Sequence, residues 1–420
     1  MSSFAARHAI VSPMRVGVLE LVPGGHRLTY VRRILPAFAS IGEVTFITST
    51  QAVSSEEYRT QIKPLEGSFR LEARDSVANM ADPTRESLGA IARCVGARAV
   101  DHLVVPLCDG TIQRAGLARV SGRLRVPAGV EIEGLMMRGS YAHEPPRGLK
   151  ERLRCAAWLR SASWAPFSVV HHLDRIALDW MRREQPSMAK RLRLMPDPVE
   201  RPAQITREAA RDRLGMDSRG RVIGCVGVMD ERKGMDLLIR AFLQAELAPD
   251  DRLLLAGKHS PQICALIKAQ GPKASERVVS IDKYMTEEEL ELSSAAMDVM
   301  ATPYPPGRGH VGSSSSLVRA AMLERPVLSS PQGLVGDNVT GFGLGYTCDV
   351  TDEAAFARAI REALDASGSF SLSEAGRRFV EFNSIENFLA CFTARARERA
   401  GLPPLPGARS WDWVMEAAKP

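Results

Sequence analysis

Val222-Ile223-Gly224-Cys225-Val226-Gly227 is an apolar run of strand length, and it predicts a strand that is buried on both faces. A turn containing lysine and glycine follows, and the apolar spacing of residues 235–244 predicts a helix directly behind it. The same order returns with strands at 253–257 and 298–303. The second of these leads through Gly309-His310-Val311-Gly312-Ser313-Ser314-Ser315-Ser316 into a helix. Strands that alternate with helices at this spacing predict a parallel sheet built from βα units.

The first half of the chain shows the same alternation. Its predicted strands lie at 14–22, 44–48, 102–106, 130–137, 168–170 and 193–195. Residues 199–204, with prolines close by, read as a linker. We therefore predict an α/β protein with a first domain at 1–198, a second at 199–375 and a tail at 376–420 that holds one more helix. We also predict that Pro36 kinks or ends the first helix, that residues 50–82 are loop with some helix, and that residues 333–345 are a loop.

The composition is that of an ordinary globular protein. The chain has 420 residues, 45% of them apolar and 25% charged, and its seven cysteines are scattered without C-x-x-C spacing. Together with the lack of a signal peptide or a membrane-spanning run, this predicts a cytoplasmic protein without disulfides or a zinc site. The net charge of +6 fits a solvated basic surface, anionic small ligands or an anionic membrane surface. Nucleic acid is the least favoured partner because no nucleic-acid motif is present.

Several side chains follow the predicted strands, where ligands bind in parallel sheets. Arg232 and Lys233 follow the strand at 222–227, and the Gly/Ser loop leads into a helix whose N-terminus favours anions. In the first half, Gly24 and Gly25 follow the first strand, and Arg138 and His143 follow the strand at 130–137. A lone histidine in such a place is also common as a structural residue.

The segment 149–164 is a basic amphipathic helix with two open interpretations. It fits a helix that faces the core and carries charge outside, which we favour, and it also fits a membrane contact.

The order of these pieces resembles the GT-B fold glycosyltransferases, in particular the retaining group 1 family that uses nucleotide-sugars. The pieces that carry the resemblance are Asp230-Glu231-Arg232-Lys233-Gly234, Leu254-Leu255-Ala256-Gly257, Tyr284-Met285-Thr286-Glu287-Glu288-Glu289-Leu290, Ala296-Met297-Asp298-Val299, the loop at Gly312, Arg325-Pro326-Val327, Asn338-Val339-Thr340-Gly341, and in the first half Gly24-Gly25 and Pro196-Asp197-Pro198-Val199.

The resemblance implies two Rossmann-like domains that face each other across a cleft, with a C-terminal helix that crosses back to the first domain. The second domain would bind a nucleoside-diphosphate sugar, and the first would bind a glycan, lipid-linked or small-molecule acceptor. No metal or other cofactor is expected, and peripheral contact at the inner membrane face is a further option. The implied catalytic residues are Lys233, Arg232 and His143, and the implied substrate-binding residues are Gly24, Gly25, Arg138, Tyr284, His310, Gly312, Ser313, Ser314, Ser315 and Ser316.

The sequence departs from the family at three polar positions. Val228 stands where the family has an arginine, and Val311 and Arg319 stand where it has two glutamates, the second of which contacts the ribose. The serines 313–316 either replace some of these polar contacts or only cap the following helix. Three functions therefore stay open: sugar transfer, binding of nucleotide-sugar or glycan without transfer, and nucleotide-sugar epimerisation. A nicotinamide oxidoreductase is disfavoured because a dinucleotide fingerprint is missing.

Overall fold

Two parallel β-sheets organise the chain, one in each half. The computed structural model describes residues 13–24, 27–75, 83–202, 205–216, 219–308 and 312–418. The strands are β1 (Met14–Leu19), β2 (Gly42–Ser49), β3 (Arg70–Arg74), β4 (His102–Val105), β5 (Glu131–Met136), β6 (Val169–His172), β7 (Leu192–Leu194), β8 (Val222–Val226), β9 (Arg252–Ala256), β10 (Val278–Ile281), β11 (Val299–Thr302), β12 (Val327–Ser329) and β13 (Gly345–Thr347).

Helices connect the strands. They are α1 (Arg27–Ala39), α2 (Thr50–Val53), α3 (Glu56–Gln61), α4 (Pro83–Gly96), α5 (Thr111–Val120), α6 (Ser140–His143), α7 (Gly148–Ser163), α8 (Arg175–Glu184), α9 (Arg207–Arg213), α10 (Met235–Gln244), α11 (Pro261–Ala269), α12 (Pro272–Arg277), α13 (Glu287–Ala295), α14 (Ser315–Met322), α15 (Gly333–Phe342), α16 (Glu353–Ala366), α17 (Glu374–Phe382), α18 (Ile385–Arg399) and α19 (Trp411–Ala417).

Both sheets are doubly wound. The first has the strand order β3-β2-β1-β4-β5-β6-β7, and the second has the order β10-β9-β8-β11-β12-β13. Every strand pair in both sheets is parallel; for example, Val16 of β1 is in register with Val44 of β2. The strand order reverses between β1 and β4 and again between β8 and β11, and such reversals open a crevice at the carboxyl ends of the strands. The predicted α/β class with two Rossmann-like sheets is confirmed.

The C-terminal helix α18 belongs to the core of the first domain. Phe388 and Phe392 are fully buried in one cluster with Val16, Val18 and Phe38. The rings of Phe392 and Phe38 meet edge to face at 6.1 Å. At the far end of α18, Arg395 and Arg399 form ion pairs with Glu131 at the start of β5. The predicted crossing of a C-terminal helix back to the first domain is therefore confirmed.

Four local predictions were wrong in whole or in part. Residues 333–345 are not a loop, because they form α15 and lead into β13. The segment 50–82 contains α2 and α3, as its predicted mixture of loop and helix allows, but it also contains the edge strand β3, which was not predicted. The tail holds three helices, α17, α18 and α19, instead of one. Of the two outcomes predicted at Pro36, an end of the helix is wrong because Pro36 lies inside α1, and a kink stays a prediction.

The favoured interpretation of α7 holds only for its second half. Cys155, Leu159 and Ala162 face the core, as expected for a helix that covers a sheet. Leu149 and Leu153, in the first two turns, are exposed instead. The apolar residues of α7 therefore lie on two faces, and only one of these faces packs on the first domain.

Candidate functional site

The candidate site lies where the strand order of the second sheet reverses. Lys233 follows β8, and the Gly/Ser loop precedes α14 after β11, which is the strand next to β8. Because the carboxyl ends of neighbouring parallel strands share one edge, the lysine and the loop come together there. Lys233 and the Gly/Ser loop, the two parts of the predicted anion site, thus follow adjacent strands.

A short helical turn places Lys233. The Asp230 carboxylate accepts the backbone N–H of Lys233 at 3.0 Å, which fixes the start of the turn. Gly234 ends it with φ of +78°, and a side chain there would meet the Pro305 ring at 2.8 Å. The Lys233 ammonium lies close to Gly227, since a Cβ added at Gly227 would sit 3.4 Å from Nζ. Among the described residues, no carboxylate lies within ion-pair distance of this ammonium.

Arg232, the second predicted cation, points differently. Its guanidinium is partly exposed and pairs with Asp230 at 3.4 Å. Arg308 occupies the other side of the same turn, where it donates to the Glu231 carbonyl at 2.9 Å and to the Asp236 carboxylate at 2.7 Å. Arg308 therefore holds the turn through its contacts with Glu231 and Asp236, and Lys233 is the cation that lies against the end of β8 at Gly227.

Tyr304 joins the lysine turn to the serine loop. Its backbone N–H donates to the Lys233 carbonyl at 3.2 Å, and its buried hydroxyl lies 3.0 Å from the Ser314 hydroxyl. Its φ of +39° is unusual for a bulky residue, and such strain is often found at ligand sites. Burial raises the pKa of the Tyr304 phenol, so it stays a neutral hydrogen-bonding group. Sequence reasoning missed this residue.

The serines of the loop do not cap α14. Ser314 is the N-cap residue of α14, but its side chain makes no capping hydrogen bond. Ser313 donates to the Asp197 carboxylate, and Ser316 donates to the Val226 carbonyl at 3.4 Å. Ser315 is half-buried and begins the helix. Among the described residues, no serine side chain therefore accepts the first amides of α14, and amides at a helix N-terminus can bind an anion.

The serine loop also contacts the first domain. A Cβ added at Gly312 would lie 3.5 Å from the Met137 carbonyl and 4.0 Å from the Asp174 carboxylate. Asp197, which binds Ser313, also lies 3.4 Å from the Tyr30 hydroxyl of α1. A cavity of about 30 Å³ between the domains has Ser313 and Ser314 among its walls. The two domains therefore meet at the loop.

His143, the predicted catalytic histidine, is held by a carboxylate. Its Nε2 lies 2.5 Å from Asp174 Oδ2, and both side chains are buried. The other oxygen of Asp174 caps α8, where it accepts the amides of Ile176 and Ala177 at 2.9 and 3.1 Å. A histidine fixed by a carboxylate has a set orientation and tautomer, which is the arrangement that an acid or base needs. The same arrangement is compatible with a purely structural role.

The remaining predicted residues differ in their surroundings. Gly24 has open space around its Cα, since an added Cβ would meet nothing within 4 Å. Arg138 is exposed, and its backbone amide donates to Asp109 at 2.7 Å. Tyr284 is 81% exposed and is not a core residue. Gly25 and His310 lie outside the described residues, as does Val311.

Arg319 replaces a family glutamate but has a glutamate as its partner. It is almost fully buried in α14, and it donates to Glu287 of α13 at 2.8 Å. Burial acts to raise the pKa of Glu287, but Arg319 and Arg33 outweigh it, so the pKa lies below its ordinary value. Nη1 of Arg319 and Nε of Arg33 are buried without a hydrogen-bond partner in the described structure. An ionised carboxylate therefore stands one helical turn behind the α14 N-terminus, although residue 319 itself is basic.

Sequence signals for the missed residues were present but weak. Asp174 precedes an apolar helix pattern and reads only as a cap, and Asp197 lies in the Pro-Asp-Pro exit of β7. Glu287 is one of three consecutive glutamates, and nothing in the sequence distinguishes it from its neighbours. Only the fold, which brings α13 against α14, singles it out.

Two general searches complete the description. In the part of the chain that the structure describes, no group of three or more His, Cys, Asp and Glu side chains is arranged to hold a metal ion. None of the described helices combines the length and the apolarity needed to cross a bilayer.

Known proteins resemble the chain in sequence over one part and in fold over nearly all of it. Residues 220–366 match the family described as "Glycosyl transferases group 1". Among solved structures, sucrose-phosphate synthase from Thermosynechococcus elongatus is 17% identical, with a TM-score of 0.66 and coverage of 92% of this chain and 98% of that one. None of the curated protein sequences matches the chain.

Two further solved structures have the same fold. HepE from Anabaena, solved in complex with UDP, is 13% identical, with a TM-score of 0.60 and coverage of 92% and 95% of the two chains. WaaG, a glycosyltransferase involved in lipopolysaccharide biosynthesis, is 14% identical, with a TM-score of 0.59 and coverage of 96% and 98%. The resemblance seen in the sequence is therefore confirmed: residues 220–366 match the group 1 glycosyltransferase family, on a chain that has the GT-B fold.

Proposed function

We propose that this chain is a glycosyltransferase that moves a hexosyl group from a nucleoside-diphosphate sugar to a glycan, lipid-linked or small-molecule acceptor, with retention at the anomeric carbon. The family match at residues 220–366 supports glycosyl transfer in general. The structures of HepE with UDP and with UDP-glucose make a uridine nucleotide the first donor to try.

One observation carries the proposal: the ammonium of Lys233 and the open N-terminus of α14 stand on neighbouring strand ends. A diphosphate placed there would receive amide hydrogen bonds from the helix and a positive charge from the lysine. Both would strengthen as the glycosidic bond breaks and negative charge grows on the leaving diphosphate. Basic side chains and amides would then do the work that a metal ion does in other enzymes, so the proposed reaction needs no metal.

Glu287 supplies the acidic group that residue 319 does not. Arg319 donates to one of its oxygens, and the other oxygen stays available as an acceptor. A nucleotide whose diphosphate sits at the α14 N-terminus would place its ribose about one helical turn away, near this carboxylate. We propose that Glu287 accepts a ribose hydroxyl and that Arg319 holds Glu287 in place.

In the first domain, His143 and Arg138 would face the transferred sugar and the acceptor. Gly24 leaves room for a ligand to approach the end of β1. A cytoplasmic location remains a prediction that belongs to this proposal. The rival with specific support is a protein that binds nucleotide-sugar without transfer, because Val311 and Arg319 replace the two glutamates of the family.

A two-step experiment tests the proposal. The first step is a thermal-shift screen against UDP, GDP and ADP and their glucose derivatives, in which we expect one nucleotide series to raise the melting temperature. The second is an assay for free nucleotide with the stabilising sugar donor. A shift together with nucleotide release supports transfer, and a shift without release under any acceptor condition favours the rival. Absence of any shift would refute the nucleotide site itself.

A further inference from the structure

The first two turns of α7 expose leucines that the fold does not use. Leu149 is 75% exposed and Leu153 is 61% exposed. Their spacing of four residues puts them on one helix face, and at 3.6 residues per turn that face lies roughly 120° around the helix from Cys155 and Leu159, which pack on the domain. A shallow apolar groove runs along this face, lined by Leu149, Lys150, Leu153, Arg154 and Ala157. We call these five residues the α7 face.

Basic side chains surround the α7 face. Residues 147–160 contain five Lys or Arg and one acid, Glu151, which accepts the Arg147 amide at 2.5 Å. The neighbouring helix α5 adds basic residues beside the other end of α7, where Arg119 donates to the Trp164 carbonyl at 3.3 Å. An apolar strip with positive charge on both sides is complementary to a surface whose outer layer carries negative charge and whose inner layer is apolar.

The location of the α7 face connects it to the cleft. Since α7 follows β5 in a parallel βα unit, its N-terminal end lies at the sheet edge that carries the site. The half-buried Trp158 of α7 contacts Tyr141 with ring centroids 6.4 Å apart, and Tyr141 is two residues before His143. A surface held against the α7 face would therefore lie beside the entrance to the first-domain half of the cleft.

We propose that the α7 face docks the protein on an anionic lipid bilayer, with Leu149 and Leu153 in the apolar layer and Lys150 and Arg154 on the headgroup phosphates. A second copy of the chain is a poorer occupant, because a two-fold contact would bring like charges together. This proposal goes beyond sugar transfer and does not depend on it. If transfer also holds, docking would bring a lipid-linked acceptor to the rim of the cleft.

Vesicle sedimentation tests the proposal with the full chain. The probes are phosphatidylcholine vesicles with and without phosphatidylglycerol, at low and high salt. We expect binding only to the anionic vesicles, with a loss at high salt because surface charges are screened. Lys150→Glu with Arg154→Glu should weaken binding by roughly fivefold or more per charge. Leu149→Ser with Leu153→Ser should weaken it by roughly tenfold or more.

Matched controls keep the test decisive. Met415→Ser and Arg358→Glu change an exposed apolar residue and an exposed arginine far from α7, and they should bind as the wild type does. Each variant is checked by its melting temperature and by its nucleotide-induced shift, which reports on the other domain. Unchanged binding in both α7 variants, or no binding to anionic vesicles, would overturn the proposal. Self-association that the leucine variant abolishes would assign the face to a second copy instead.

Discussion

Replacing Lys233 by alanine is the sharpest perturbation of the proposed site. The side chain is half-buried, its ammonium lies against Gly227, and no carboxylate among the described residues neutralises it. Truncation should leave the fold intact, because the turn is held by main-chain contacts to Asp230 and Tyr304. The loss should therefore appear in ligand binding and turnover rather than in stability.

The expected size follows from the contact that would be lost. A hydrogen bond to a charged group contributes about 1.5–3 kcal/mol. At about 1.4 kcal/mol per factor of ten, Lys233→Ala should lower kcat/KM by roughly tenfold to 150-fold. Arg232→Ala is the matched variant, since it removes an adjacent cation that is partly exposed and paired with Asp230. Its loss should stay within about threefold, which is typical of an exposed pair.

The assay is release of free nucleotide from the donor found by thermal shift, together with calorimetric titration of the nucleoside diphosphate. Because the charge matters most when the bond breaks, we expect a larger loss in turnover than in diphosphate affinity. Equal turnover of Lys233→Ala and wild type would refute the role of the lysine. An equal loss of turnover in Arg232→Ala would show that turnover depends on positive charge in this region and not on the position of the Lys233 ammonium.

Four other predictions address the site and its support. Glu287→Gln should weaken binding of the nucleotide several-fold but leave the affinity for its 2′,3′-dideoxy form unchanged in calorimetry; equal losses for both would exclude ribose contact. Gly234→Ala should lower stability in urea unfolding by about 1 kcal/mol or more, since φ of +78° and Pro305 oppose a side chain. Phe392→Ala should cost about 3–5 kcal/mol in the same assay, as a fully buried ring is lost. Burial acts to raise the pKa of Glu133, but His171 and His102 outweigh it and lower the pKa from 4.5 to about 2. The free energy of unfolding should therefore fall as pH drops from about 4.5 towards 2. Glu133→Gln should flatten this pH dependence.

Sequence patterns predicted the strands correctly where both faces of the strand are buried. Strands such as β8 and β9 are buried on both faces, so their continuous apolar runs could be read directly. β3 was missed because it is an edge strand with the polar sequence RLEAR, which leaves no such run. α15 was missed because its glycines indicate a loop, yet Leu334, Val339 and Phe342 are buried there, and packing overrides local propensity.

The site was predictable in its local parts and not in its assembly. Lys233 and the serine loop could be placed from the strands that precede them. The contacts of Tyr304 with Lys233 and Ser314 depend on an unusual backbone angle that no sequence pattern announces. The pairing of Arg319 with Glu287 joins residues that are 32 positions apart, so only the packing of α13 on α14 reveals it.

The crossing of α18 has a consequence for the order in which the chain folds during synthesis. Domains generally fold as units, the N-terminal one first, as the chain leaves the ribosome. Here Phe388, Phe392 and Ala396 complete the core around Val16, so that core stays unfilled until the second domain and α18 have emerged. The second domain has its own sheet and can close earlier. The apolar surface of the nascent first domain therefore stays uncovered until α18 has been synthesised.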